Sequence, residues 1–296
     1  MTSSWSLTGN AIVQGIAEPA GTYWAAQMHA YGTPIVAGVH AGHGGDCVGE
    51  IPVFDLVEQV LQVVGGVTTS ILFTHPYATL DAALEAIAAG VRQLILATRD
   101  LPPLDMLRLR EQAQAAEVRV LGPGSAGLIV PGKFLWGAIA ADCYDCGNIA
   151  LLSRSDGLLD ELAAELTRAG LGQSLAVELG IGATLGSQVD DWLPLLVADP
   201  NTEVIVLVEQ HLTDTRAAAA ALPQYSPKPI VAYVAGQQLP TAPPTQEAAT
   251  QIVSQFVTST PHTSTAAEKL AAYKKLGVPV ARYPAQLAEL LHQRLK

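Results

Sequence analysis

IALLSRSDGLLDEL, residues 149–162, is the stretch on which the reading of this chain turns. Ile149, Ala150, Leu151 and Leu152 form a short, uninterrupted apolar run, the pattern of a strand buried on both faces. Ser153, Arg154, Ser155, Asp156 and Gly157 then turn the chain. Leu158, Leu159, Leu162, Ala163 and Leu166 follow at helical spacing and predict an amphipathic helix. Strand, short polar turn and helix is how an open parallel α/β sheet presents a helix N-terminus, whose unpaired N–H groups attract anions. Ser153 and Ser155 are candidate ligand-binding residues there, and also capping types, so the stretch taken alone reads more readily as a turn capped by Ser and Asp. Asp156 is unexpected beside an anion, because its carboxylate already sits at the positive end.

Downstream the logic repeats. Residues 175–179 predict a strand, 180–187 a glycine-rich loop (GIGATLGS) and 188–198 a helix. Residues 204–208, VIVLV, predict a buried parallel strand running into Glu209, Gln210 and His211. A helix over 215–222 and a strand over 229–234 follow. Residues 237–264 are rich in Pro, Thr, Gln and Ser and read as a long mobile loop around one short helix, 246–257. A helix over 265–276, a last strand over 278–282 and a helix over 284–295 close the chain. The second half is expected to be a five-stranded α/β unit of flavodoxin type.

Upstream, strands are expected over 10–15, 34–39, 69–73, 93–98 and 118–121, with helices over 23–31, 52–66 and 80–90 and one opened by Pro102-Pro103. This is a Rossmann-like succession, with a loose glycine loop at Gly15 and Gly21. It lacks the tight three-glycine spacing, and no acidic residue ends the second strand at Val39, which argues against a dinucleotide-dependent oxidoreductase. Glu18 and Pro19 sit where a phosphate would approach, one adding negative charge and the other removing an N–H. A second glycine loop, His40-Ala41-Gly42-His43-Gly44-Gly45, has two imidazoles but no completing carboxylate or thiol set, so no metal is expected. His75-Pro76-Tyr77 falls at a strand's carboxyl end, the edge where such sheets bind ligands. The Gly/Pro cluster at 122–127 divides the chain into expected domains 1–123 and 124–296. Residues 129–148 read as a loop-rich connector, whose Cys143 and Cys146 form a lone C-x-x-C pair.

Composition fits this reading. The chain has 296 residues, 49% hydrophobic and 15% charged, enough for two domains with large cores. A formal net charge of −11 argues against nucleic acid or an anionic membrane as partner. No apolar run spans a bilayer and the N-terminus has no leader pattern, so a cytoplasmic location is expected.

Several segments, in order, resemble the α subunit of succinyl-CoA synthetase, a succinate–CoA ligase of the nucleoside-diphosphate-forming acyl-CoA ligase superfamily. They are QGIAEPAGT at 14–22, AYGTPIVAGVHAGHGG at 30–45, PVFDLVEQ at 52–59, LPPLDM at 101–106 and VRVLGPGSAGLIVPG at 118–132. SRS at 153–155, GLGQS at 170–174, GIGATLGS at 180–187 and VAYVAG at 231–236 complete the set. The resemblance implies a Rossmann-like CoA-binding domain followed by a flavodoxin-like ligase domain. It further implies a histidine that relays a phosphoryl group, ATP or GTP with magnesium supplied through a β subunit, and Gly15, Gly21, Thr22, His75 and Pro76 at the coenzyme A cleft.

The departures cluster at the implied phosphate sites. The family's histidine aligns with Glu247, and no histidine lies between His211 and His262. The family's orienting glutamate aligns with Gln210, although Glu209 is adjacent. The Gly of its Ser-Arg-Ser-Gly helix start is Asp156, the basic residue of its second loop is His43, and its Asn-Cys-Pro is Gly124-Ser125-Ala126. Each change removes a donor or positive charge, or adds a negative one. The expectation is a divergent, non-catalytic α-like subunit with weak coenzyme A binding and a regulatory or scaffolding role, beside a β-like partner or copies of itself. The alternative is an active ligase with a relocated relay at His211, His262 or Glu247.

Overall fold

The computed structural model describes residues 5–181, 184–210, 227–237 and 265–295. His211, Glu247, His262 and the helices expected over 215–222 and 246–257 lie outside the described residues.

The first sheet contains β1 (Asn10–Gln14), β2 (Ile35–Val39), β3 (Cys47–Val48), β4 (Ile51–Phe54), β5 (Val67–Leu72), β6 (Gln93–Leu96) and β7 (Arg119–Leu121). Its order is β3-β4-β2-β1-β5-β6-β7, parallel except where β3 pairs with β4. Counting the parallel strands alone, the order is the 3-2-1-4-5-6 of a dinucleotide-binding fold, with its switch point between β1 and β5. Helices α1 (Pro19–Ala30), α2 (Val57–Val63), α3 (Thr79–Ala88) and α4 (Pro103–Ala115) make the connections. Helix α1 begins four residues before its expected start. Pro19 sits at its first position, where a missing N–H costs nothing and the fixed φ suits the helix. Conversely, the helix expected over 52–66 shrinks to α2. Ile51 and Val53 are buried and Pro52 is exposed, a two-residue period that pairs β4 with Gly38 and Val39 of β2.

The second sheet contains β8 (Gly127–Val130), β9 (Phe134–Gly137), β10 (Cys146–Arg154), β11 (Gln173–Glu178), β12 (Val204–Glu209), β13 (Ile230–Val234) and β14 (Val280–Ala281). Its order is β14-β13-β12-β10-β11-β8-β9. The five expected strands are parallel and give the 2-1-3-4-5 order of a flavodoxin-like sheet, with the switch point between β10 and β12. Two strands were not expected. The supposed connector at 129–148 holds an antiparallel hairpin, β8 and β9, which extends the sheet from five strands to seven. Helices α5 (Leu158–Arg168), α6 (Val189–Ala198), α7 (Ala266–Lys275) and α8 (Pro284–Arg294) flank this sheet.

The hairpin docks onto the first half. The Thr33 hydroxyl donates to the Leu135 carbonyl and accepts from the Leu135 amide, each at 2.9 Å. Trp5 stacks on Trp192 of α6 with ring centroids 4.9 Å apart. One apolar cluster therefore runs from Ile16 and Met28 through Trp136 into Leu151, Leu162 and Val206. In α5, Leu159, Leu162, Ala163 and Leu166 are buried. Burying each leucine contributes about 1.5–3 kcal/mol, which holds the loop before this helix against the sheet edge.

Candidate functional site

Two loop systems lie at strand carboxyl ends, one on each sheet. At the first, β1 runs into a tight turn onto α1. The Glu18 amide donates to the Gly15 carbonyl at 3.0 Å and the Thr22 amide to the Glu18 carbonyl at 2.8 Å. The Thr22 hydroxyl donates to the Ile16 carbonyl at 2.8 Å. A Cβ on Gly21 would collide with the Gly15 carbonyl, so only glycine lets the helix sit this close. Glu18 is the N-cap residue, half-buried, and its side chain makes no capping bond. A Cβ on Gly15 would lie 2.8 Å from the Thr74 amide, so the turn abuts the end of β5. There His75 Nδ1 accepts from the Tyr77 amide at 3.4 Å, and Pro76 opens a single 3-10 turn. Gly15, Glu18, Gly21, Thr22, His75 and Pro76 are thus brought to the switch point.

The second glycine loop follows β2. His43 Nδ1 lies 3.1 Å from Asp46 Oδ2, and the His40 and His43 rings meet edge to face at 4.8 Å. The Gly42 and Gly44 amides both donate to Asp55 Oδ1, at 2.7 and 3.0 Å. No group of three or more metal-ligating side chains occurs among the described residues.

On the second sheet, Ser153, the last residue but one of β10, pairs with Glu178 on β11 and Val208 on β12. Ser153 and Ser155 are fully buried, and their hydroxyls bond each other at 2.7 Å rather than capping α5. The N-cap is instead Gly157, at φ +78°, without a side-chain bond. The Asp156 amide donates to Gln210 Oε1 at 3.0 Å, across the switch point between β10 and β12. Asp156 itself is held by Arg99, which follows β6 of the first sheet, through two bonds of 2.6 and 3.1 Å. Arg99 therefore ties the ligand edges of the two halves together.

Glu209 does not face that loop. It is buried at the end of β12, where its carboxylate accepts from Lys269 Nζ at 2.9 Å and from the Tyr273 hydroxyl. Lys269 also donates to the Gln210 carbonyl at 2.7 Å and so fixes the residue that caps Asp156. Burial, with Glu209 adjacent, pushes the Tyr273 phenol well above its ordinary range.

Sequence reasoning missed two residues at this edge. Lys269 is one; its signal was a lysine on the buried stripe Ala266, Lys269, Tyr273 of α7. The other is Glu178, a carboxyl inside an apolar strand. It is 3% exposed, and its Oε1 has no partner among the described residues. Burial raises its pKa to about 8, helped by the carboxylates of Asp160 and Asp156, while the Ser155 amide and Arg99 pull the other way.

Comparison with known proteins agrees with this succession of two α/β folds. Residues 7–99 match the CoA binding domain family, and residues 146–291 the succinyl-CoA ligase like flavodoxin domain. The chain is 33% identical to succinate–CoA ligase [ADP-forming] subunit alpha 2 of Archaeoglobus fulgidus over 286 residues, 96% of each chain. It is 33% identical to the corresponding subunit of Aquifex aeolicus over 96% of this chain and 92% of that one. It is 36% identical to the malate–CoA ligase subunit alpha of Methylorubrum extorquens over 77% of this chain and 79% of that one. Among solved structures, ATP citrate lyase of Methanothrix soehngenii, in complex with citrate and coenzyme A, superposes with a TM-score of 0.78 at 19% identity. That match covers 96% of this chain and 50% of the lyase chain, and it speaks to fold alone. With both domain families present in order and a third of its residues shared over nearly its whole length, the chain belongs to the succinate–CoA ligase α-subunit family.

Proposed function

We propose that this chain is an α-type subunit that keeps the coenzyme A-binding fold but does not carry the family's phosphoryl relay, acting as a regulatory or scaffolding subunit in the cytoplasm. One observation carries the reading. Gln210, where the resemblance places the glutamate that orients the relay histidine, is uncharged, and its Oε1 is spent on the Asp156 amide. A histidine relay needs an anionic partner to hold its tautomer and stabilise its cation. Coenzyme A enters the same proposal as a weak ligand. The turn at Gly15 and Gly21 admits close backbone approach, but the Gly42 and Gly44 amides are taken by Asp55, and Glu18 stands at the mouth of α1. ATP or GTP with magnesium would reach the assembly only through a β-like partner, and self-association is the other mode of assembly.

The test is incubation of the purified chain with the β subunit of a related ADP-forming ligase, radiolabelled ATP and magnesium. The chain is expected to remain unlabelled; acid-labile, base-stable phosphate on it would overturn the proposal. The kinship to ligase subunits at 33–36% identity supports a second reading, an active acyl-CoA ligase subunit whose relay moved to His211, His262 or Glu247. In that case replacing His211 and His262 together by Asn abolishes acyl-CoA formation, unless Glu247 carries the phosphate.

A further inference from the structure

We propose that Arg99 is the residue that recognises phosphate at the ligand edge of the first sheet, and that Asp156 of the other half withholds it until an anionic ligand takes it out of their ion pair. The loops that follow the parallel strands of that sheet are 15–18, 40–46, 55–56, 73–75, 97–102 and 122–126. Arg99 is the only arginine or lysine in them, against the carboxylates of Glu18, Asp46, Asp55 and Asp100. The other basic side chains there are the imidazoles of His40, His43 and His75, a type without permanent charge. A ligand bearing phosphates binds best to a fixed, forked cation, which arginine supplies and imidazole does not.

The backbone places Arg99 for that contact. The preceding Thr98 hydroxyl donates to the Thr74 carbonyl at 2.9 Å. Thr74 adjoins His75 and abuts the turn at Gly15, so Arg99 follows directly on a residue bonded to the switch point between β1 and β5. Yet two of its guanidinium nitrogens bind the carboxylate of Asp156. The Arg99 side chain is 57% exposed and that of Asp156 43%, and exposed pairs of this kind are weak enough to exchange. A phosphate offers the guanidinium the same two-oxygen edge as a carboxylate, with more charge. Asp156 is held where it is, because its own amide is tied to Gln210 across the second switch point. A ligand that takes Arg99 therefore frees the carboxylate before α5, and one side chain couples the two ligand edges.

The inference rests on the reading that coenzyme A reaches the first edge as a weak ligand, and its test separates the two. The affinity of the parent judges that reading, and the differences between variants judge the inference. Coenzyme A is titrated calorimetrically into the parent, Asp156→Asn, Arg99→Gln and the double variant. Asp156→Asn frees Arg99 and is expected to bind about twofold to fivefold more tightly than the parent. Arg99→Gln is expected to bind about tenfold more weakly, the loss of one charge-assisted bond, and Arg99→Lys to recover part of it. Added to Arg99→Gln, Asp156→Asn is expected to change nothing. The Asp156 amide resonance should move with coenzyme A in the parent and stay in place in Arg99→Gln. A gain from Asp156→Asn that persists without Arg99 overturns the inference, since removal of a negative charge and not release of Arg99 would be its cause. Equal affinities in all four proteins, or no binding by any, overturn it as well. Asp156→Ser serves as the releasing variant if Asp156→Asn does not fold.

Discussion

Replacing Glu178 by Gln should change how stability depends on pH. Glu178 is 3% exposed and its pKa rises from 4.5 to about 8, chiefly through burial and then through Asp160 and Asp156. The folded chain therefore keeps a proton between those values that the unfolded chain has released. Stability contributed by such a group falls as pH rises through this window, by about 1.4 kcal/mol per pH unit. Across the whole window, 4.5 to about 8, the loss amounts to about 5 kcal/mol. Gln has nearly the same shape and cannot ionise. Below about pH 5 the two proteins should differ by no more than about 1 kcal/mol, a neutral amide standing for a neutral acid. The glutamine variant should then gain steadily on the parent, leading by about 4–5 kcal/mol at pH 8 and above. Urea unfolding of both proteins at unit steps of pH measures this directly, because all other titrations cancel in the difference. A difference that stays flat between pH 5 and 8 would show that Glu178 is ionised in the folded chain, and the burial argument would fail.

Three further outcomes follow from the geometry. Lys269→Met leaves the Glu209 carboxylate buried without its cation and should cost about 3–5 kcal/mol in urea unfolding, much of it restored by adding Glu209→Gln; a loss below about 1 kcal/mol would refute the buried pair. Gly21→Ala forces a methyl against the Gly15 carbonyl and should destabilise by about 1–3 kcal/mol, lowering the melting temperature and coenzyme A affinity together. Glu18→Gln removes a negative charge from the start of α1 and should tighten coenzyme A binding about two- to fivefold in calorimetry; unchanged affinity would place the phosphates elsewhere.

Much of the fold was legible because it is written locally. Runs such as 149–152 and 204–208 are buried on both faces by helices, so their apolar continuity alone identifies parallel strands. The stripe at Leu159, Leu162, Ala163 and Leu166 identifies α5 by its period, and glycine-rich turns mark the strand ends where ligands bind. The hairpin at Gly127–Val130 and Phe134–Gly137 escaped because its strands are four residues long around Pro131-Gly132, and what makes them a sheet edge is β11 and α1, remote in sequence. Ser153 and Ser155 were candidates by type, yet they bond each other, because the helix starts two residues beyond Ser155 at Gly157. Glu209 and Gln210 were read as one site. Strand alternation instead sends Glu209 to Lys269 and Tyr273, and Gln210 to the Asp156 amide. The sequence by itself determined two Rossmann-like and flavodoxin-like sheets, their ligand edges and the family. Only the tertiary structure decided which donors at those edges are already paired, and that burial raises the pKa of the Glu178 carboxyl. Periodicity is a property of neighbours in the chain, whereas desolvation and pairing depend on residues such as Arg99, Asp156 and Glu178 that folding alone brings together.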